Sequence, residues 1–380
     1  MKILKLHNDW TMNDYRKKTN SYGGCGYYRT VKIAEQLSPE HEVDMWGREW
    51  QDERKKWDTD EHFYEHIFKT YDMVWLHYID NPVMFSWLRV AATHYGKLLV
   101  MDIDDNFFEV HENNPSAKRY ALKSKARTDL AAILSECDAL TVSTVPLKQA
   151  LYDHILEVHG KKMPIFVIPN YNDMADWSNP PYENKGDGVV IGYMGSVSHY
   201  EDFEMIKDQL HKVMEKYPNV VFNIMGQMTH DQAIKAFKKW KKSEKDRINL
   251  VNPTMSFADF PLWLSQQPWD IGIAPLIDSK FNESKSSIKW LEYSMCMIPT
   301  VASPIYPYYK DVFGLATIID GVTGVLAKED EWFEKLSMLI EDKALRRRIA
   351  ENAYDYVADC WQYKDAKKHI LKVVKEIGKL

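Results

Sequence analysis

Short apolar runs alternate with amphipathic stretches along this chain, and one proline- and asparagine-rich break divides the alternation in two. Apolar runs of this length, rich in β-branched and aromatic residues, read as buried strands. In the first half they fall at residues 2–6, 41–46, 71–78, 97–103, 139–143 and 165–169. Helical patterns separate several of them, at 31–37, 131–137 and 146–155, and Pro146 suits a first helical position. Residues 49–65 are charged and aromatic and read as peripheral. The stretch 170–188 carries Asn170, Asn172, Asn179, Pro180, Pro181, Asn184, Gly186 and Gly188, a composition that interrupts both periods and reads as a linker. Strand patterns resume at 189–195, 220–225, 248–251, 273–276 and 300–303, with helical patterns at 203–217, 231–240 and from Ile288, and further helices over 329–380. Strands alternating with helices dictate parallel sheets covered on both faces. The expected fold is therefore α/β, with two Rossmann-like doubly wound domains facing a cleft. Their expected bounds are 1–170 and 189–350, joined by a linker at 171–188 and followed by C-terminal helices at 351–380. Such domains bind ligands at the carboxyl ends of their strands.

Composition narrows the function classes. A hydrophobic content of 45% supports a core and argues against disorder. A net charge of −6 argues against a globally basic nucleic-acid coat. Cys25, Cys137, Cys296 and Cys360 lie far apart with no C-x-x-C pair, which reads as reduced thiols and a cytoplasmic setting. The opening apolar run is too short for a signal peptide, and no run is long enough to span a membrane.

The strongest chemical signal lies between Ile273 and Ser303, which read strand, polar loop, helix, turn, strand. A polar loop opening a helix is an anion site, because unsatisfied N–H groups and the positive helix end face it. Lys285 adds a cation there, and Glu292 sits inside the helix, able to face back toward whatever the N-terminus holds. Two glycine loops follow strands, Gly23-Gly24-Cys25-Gly26 and Gly195-Ser196, and each admits a close backbone approach. Arg29 follows the first and suits phosphate; the alternative is a solvated helix face. His199 follows the second and either touches a ligand there or is simply exposed. Asp102, Asp104 and Asp105 end an apolar strand, where three acids can mean Mg²⁺. His77 ends another strand; a core or loop-anchoring role is its alternative. Lysines 235, 238, 239, 241 and 242 around Ile234, Phe237 and Trp240 suggest an amphipathic helix over Lys235–Lys242. It reads as a solvated face, or as a peripheral membrane or nucleic-acid contact. Asn282-Glu283-Ser284 is formally a glycosylation acceptor and reads as chance.

At these residues the chain resembles GT-B fold glycosyltransferases of the retaining family-4 type, in a bacterial or phage-like variant. Ile191-Gly192-Tyr193-Met194-Gly195-Ser196, Ser284-Lys285-Ser286-Ser287-Ile288-Lys289-Trp290-Leu291-Glu292-Tyr293 and Ile298-Pro299-Thr300-Val301-Ala302-Ser303 carry the resemblance. The family's first glutamate is missing: Ser284 holds its position, with Glu283 beside it, and Asp104 stands in the slot of a usual histidine. The resemblance implies a nucleotide diphosphate sugar donor, transferred as a hexosyl or pentosyl group without a metal or other cofactor. It implies donor contacts at Gly24, Gly26, Arg29, Gly195, Ser196, His199, Lys285, Ser286, Ser287, Ile288 and Glu292, the last on the ribose. Asp104, Glu283 and His77 are the candidates at the reacting centre. It also implies a last helix crossing back to the first domain, with Trp361 and Tyr363 as anchors. Glycan, lipid-linked sugar, protein and a modified base of phage DNA all stay open as acceptor. A noncatalytic nucleotide- or sugar-binding protein and a sugar-nucleotide epimerase stay open as other readings.

Overall fold

The computed structural model describes residues 1–7, 22–47, 49–177, 188–226, 230–251, 257–310 and 317–380. Two parallel six-stranded sheets take up the alternation. The first has the order β2-β1-β3-β4-β5-β6, from β1 (Lys2–His7), β2 (Glu42–Trp46), β3 (Met73–His77), β4 (Leu98–Ile103), β5 (Ala139–Val142) and β6 (Ile165–Val167). The second has the order β12-β11-β10-β7-β8-β9, from β7 (Val189–Met194), β8 (Val220–Met225), β9 (Ile248–Val251), β10 (Ile271–Ala274), β11 (Thr300–Ala302) and β12 (Val325–Leu326). Helices that matter below are α1 (Lys32–Leu37), α2 (Tyr200–Lys216), α3 (Ile288–Met295) and α4 (Tyr363–Ile377).

Strand order reverses between β1 and β3 in one sheet and between β7 and β10 in the other. A crevice opens outside the carboxyl ends at each reversal. In the first, register sets His7 beside His77 and His77 beside Asp102. In the second, the loops leaving β7 and β10 carry Gly195-Ser196 and residues 275–287. Close packing fixes that second sheet: a Cβ on Gly192 would lie 2.0 Å from the Trp269 ring, so only glycine fits beneath it.

The stretch 49–65 is peripheral only as far as His62, its described side chains being exposed or half-buried up to there, and Phe63 and Tyr64 enter the core. Helices Glu49–Arg54 and Asp60–Thr70 form there, and Phe63, Tyr64, Ile67 and Phe68 are buried in the first domain's core. The expected Lys235–Lys242 helix is also corrected. The helix there is His230–Ala236, after which the chain turns to bury Phe237 and Trp240. Lys241 then pairs with Glu215 at 2.8 Å and Lys242 with Asp246 at 2.7 Å, so no continuous lysine face exists. Of the expected linker, residues 178–187 lie outside the described residues.

The end of the chain returns to the first domain. Ala366, Ile370, Val373, Val374 and Ile377 of α4 share one core with Ile33 and Leu37 of α1. Each such buried aliphatic contributes about 1.5–3 kcal/mol. The crossing is strapped by backbone: Asn172 N donates to Trp361 O and Tyr363 N to Asn172 O, each at 2.9 Å. The Tyr363 hydroxyl then donates to Tyr28 O at 2.7 Å.

Candidate active site in the cleft between the sheets

The first domain's crevice rests on a buried charge network. Arg29 is fully buried and grips Asp102 with both edges of its fork, Nε to Oδ2 at 2.9 Å and Nη2 to Oδ1 at 2.7 Å. Nη1 donates to Ile168 O and, at 3.0 Å, to Asn170 Oδ1. Burial opposes the guanidinium's charge, but Asp102 outweighs it and the pKa is raised. Arg29 is therefore neither a phosphate ligand nor a solvated side chain: its donors are committed to the cleft floor. It acts through Asn170, whose Nδ2 donates to Ser286 Oγ of the second domain at 3.0 Å. Lys5 lies below, 3.7 Å from the Trp75 ring centroid, and burial lowers its pKa to about 7.

The three acids after β4 diverge. Asp102 belongs to Arg29, which removes it from any shared metal site. Asp104 Oδ1 lies 3.8 Å from His77 Nε2. Burial works against ionising Asp104, yet His77 and Cys25 hold its pKa down. Asp105 faces Lys285 across the cleft at 3.5 Å, and burial with Asp104 nearby raises its pKa. Tyr78, directly after His77, has a φ of 41°, a strained value for a tyrosine that re-aims the chain at the cleft edge.

The second domain supplies two lysines at the start of α3. The amides of Ser286, Ser287 and Ile288 precede the first intrahelical bond, Leu291 N to Ser287 O, and mark the positive helix end. Lys285 sits on the loop and Lys289 one turn into the helix, on the same side. Lys289 is buried and donates to His199 Nε2 at 3.2 Å, while His199 Nδ1 meets Asp202 Oδ2 at 2.7 Å. Burial and the two lysines lower the His199 pKa to about 3, so the ring is neutral, donating to Asp202 and accepting from Lys289. His199 thus stands behind Lys289 as its support. Burial beside Lys285 lowers the Lys289 pKa to about 8.

Glu292 lies one turn beyond and is buried against the first domain, where the Tyr28 hydroxyl donates to its Oε1 at 3.1 Å. Burial pushes its pKa up to about 8, and Tyr28 and Lys289 only partly counter that. The sign of the consequence follows from linkage. The unfolded carboxyl loses its proton near 4.5 and the folded one near 8, so the native state binds more protons between them. Stability attributable to Glu292 is therefore present below pH 4.5 and lost as pH rises toward 8. Glu292→Gln is expected to flatten this dependence; urea midpoints at pH 5 and pH 8 that shift equally in variant and wild type would refute it.

Further cross-domain bonds close the loop. Asn106 Nδ2 donates to Ser284 Oγ at 3.3 Å, and Thr144 Oγ1 to Ser284 O at 2.7 Å. Ser143, Thr144, Asn170, Lys285, Ser286 and Ser287 leave a space of only about 30 Å³ between them. A larger cavity of about 270 Å³ lies alongside, lined by Asp105, Phe107, Asn114, Ser196, Ser198 and Phe281. Of the expected pair Glu283 and Ser284, Glu283 is exposed, and Ser284 is the one that meets the first domain. Gly195 is held by Gly226, whose φ is 70° and whose added Cβ would lie 2.3 Å from Gly195 O. Gly24 faces Phe257 across the cleft, and Gly26 is buried in the turn that follows. Tyr28, Asn106, Asn170 and Lys289 were not singled out from sequence. Only Lys289 had a signal, its i+4 spacing from Lys285.

Residues 188–342, which include the second sheet, match the family model described as glycosyl transferases group 1. No curated protein matches the chain. Among solved structures it is similar to an alpha-glucosyltransferase in complex with UDP-glucose and DNA containing an abasic site. That match has 12% identity and a TM-score of 0.66 over 98% of this chain and 99% of that one. It is similar to HepE of Anabaena in complex with UDP-glucose, with 14% identity and a TM-score of 0.63 over 99% and 100%. A glycosyltransferase from Rickettsia africae matches at 15% identity and a TM-score of 0.63 over 99% and 98%. Likenesses at these identities concern the fold, which is GT-B.

Proposed function

We propose that this chain moves a sugar from a nucleotide diphosphate sugar to an acceptor hydroxyl, with retention and without a metal or other cofactor. The observation that carries the reading is the convergence of Lys285, Lys289 and the first amides of α3 at the β7/β10 reversal. It lies in the domain that matches glycosyl transferases group 1. Two ammonium groups and a helix N-terminus are a diphosphate site. When donor enters, Lys285 exchanges Asp105 for a phosphate oxygen, and the loop opens from Thr144 and Asn170 to admit it. As the bond from the anomeric carbon to the diphosphate breaks, its electron pair goes to the phosphate oxygen, the acceptor oxygen bonds to the anomeric carbon on the same face, and the acceptor's proton passes to the departing phosphate oxygen. The lysines and amides stabilise that charge, so no strong general acid is required. Glu292 would exchange Tyr28 for the ribose hydroxyls. Asp104, held by His77, faces the reacting side, and the 270 Å³ cavity offers room for the acceptor. The sugar complexes of the similar proteins support a nucleotide sugar as donor, and the DNA complex keeps a DNA base among the acceptors.

A second reading, a binding protein without turnover, is favoured by Ser284 in place of a carboxylate. The test is a donor screen that follows nucleotide diphosphate release, with and without glycan, lipid-linked, protein and DNA acceptors. Acceptor-dependent release is expected to persist in chelator. Donor binding without release would favour the second reading, and loss of release restored by Mg²⁺ or Mn²⁺ would overturn the metal-independent one. Among the described residues no helix is long and apolar enough to cross a membrane.

A further inference from the structure

The last helix carries a charge pattern that the donor site does not use. Lys364, Lys368, Lys372, Lys375 and Lys379 recur at intervals of four, four, three and four, and all five are exposed. They form one ridge along and just beyond α4, about 22 Å long at 1.5 Å per residue. Among the described residues, only Lys379 of the five has a carboxylate within 4 Å, that of Glu376. The helix's apolar side is already packed on α1, so α4 cannot turn that side into a bilayer. A membrane would meet a single file of charges rather than a broad field. A linear polyanion is the shape that a single file fits. One strand of a nucleic-acid duplex places about six phosphates along 22 Å.

We infer that this ridge docks the phosphodiester backbone of double-stranded DNA. The ridge begins at the residue after Tyr363, whose buried hydroxyl donates to Tyr28 O, so the packed side of the helix is fixed and the lysines stay on its outer side. The inference does not depend on the donor chemistry.

The test is fluorescence anisotropy with a labelled mixed-sequence duplex of about 20 base pairs, titrated in 50–200 mM salt. The wild type is expected to bind with a slope of log affinity against log salt near −4, about 250-fold across that range. The combined variant Lys364→Gln, Lys368→Gln, Lys372→Gln and Lys375→Gln should lose about 3.5 of that slope, while arginine at the same four positions keeps it. Urea midpoints, measured in parallel, should match wild type in both variants, which shows them folded without relying on the donor site. Equal slopes in wild type and the glutamine variant would overturn the inference. So would no duplex binding by wild type at 50 mM salt, or binding to phosphatidylserine vesicles in place of the duplex.

Discussion

Asp102→Ala is expected to lower folding stability by about 3–5 kcal/mol, the cost of leaving one member of a buried ion pair uncompensated. Asp102 and Arg29 are both fully buried, and a water entering the vacated space would not restore the negative charge. Asp102 also accepts from Thr141 Oγ1 at 2.6 Å, and Thr141 accepts from Trp75 Nε1 at 3.1 Å, so the loss propagates into the floor of the first sheet. Replacing both partners together, Arg29→Met with Asp102→Leu, should cost much less, because a buried pair is worth little over well-packed apolar residues. Function should not be spared in that double variant. Without Arg29, Asn170 loses the donor that orients its carbonyl, and its amide no longer holds Ser286 in place. The measurement is urea unfolding of wild type, single and double variants, with nucleotide diphosphate affinity on the double. A single variant that loses under about 1 kcal/mol would show that Arg29 finds another anion. A double variant as unstable as the single would show that the floor depends on the charges themselves.

The architecture was readable because its signals are local. Strand runs, the break after Pro169 and the loop before α3 each occupy a few consecutive residues, and their periods announce their type. What the sequence hid is what distant residues do to one another. Arg29 looks like a phosphate ligand because it follows a glycine loop, and nothing local says that Asp102, 73 residues away, claims it. His199 follows the other glycine loop and looked like a ligand; its neighbour Lys289 is 90 residues on. The helix Asp60–Thr70 was missed because charged residues between Phe63, Tyr64, Ile67 and Phe68 mask its apolar face. The Lys235–Lys242 helix was over-read because Phe237 and Trp240 sit at helical spacing but are buried from a turn. β12 is two residues long and carries no period at all.

Lys285→Ala is expected to weaken nucleotide diphosphate binding by about 1.5–3 kcal/mol, the range for a hydrogen bond to a charged group. That corresponds to a rise of roughly 10- to 150-fold in Kd. The lysine has little else to do: Asp105 at 3.5 Å is its carboxylate partner, and it stacks on Phe281 with its nitrogen 4.5 Å from the ring centroid. Removing it leaves the fold of α3 intact, so the loss belongs to the ligand. Lys289→Met should add to it, with a difference in pH behaviour. Lys289 has its pKa lowered to about 8, so its contribution as a cation is full below that pH and fades above it, until a bound diphosphate raises the value again. Because Glu292 also titrates near 8 in this site, the comparison is made in Glu292→Gln: its binding should take up protons near pH 8, and adding Lys289→Met should abolish that uptake. Calorimetry in two buffers of different ionisation enthalpy reads both quantities together. Unchanged affinity in Lys285→Ala and Lys289→Met would remove the diphosphate from the start of α3. Weaker affinity with no proton uptake in Glu292→Gln would keep the site but assign the charge to Lys285 and the helix amides alone.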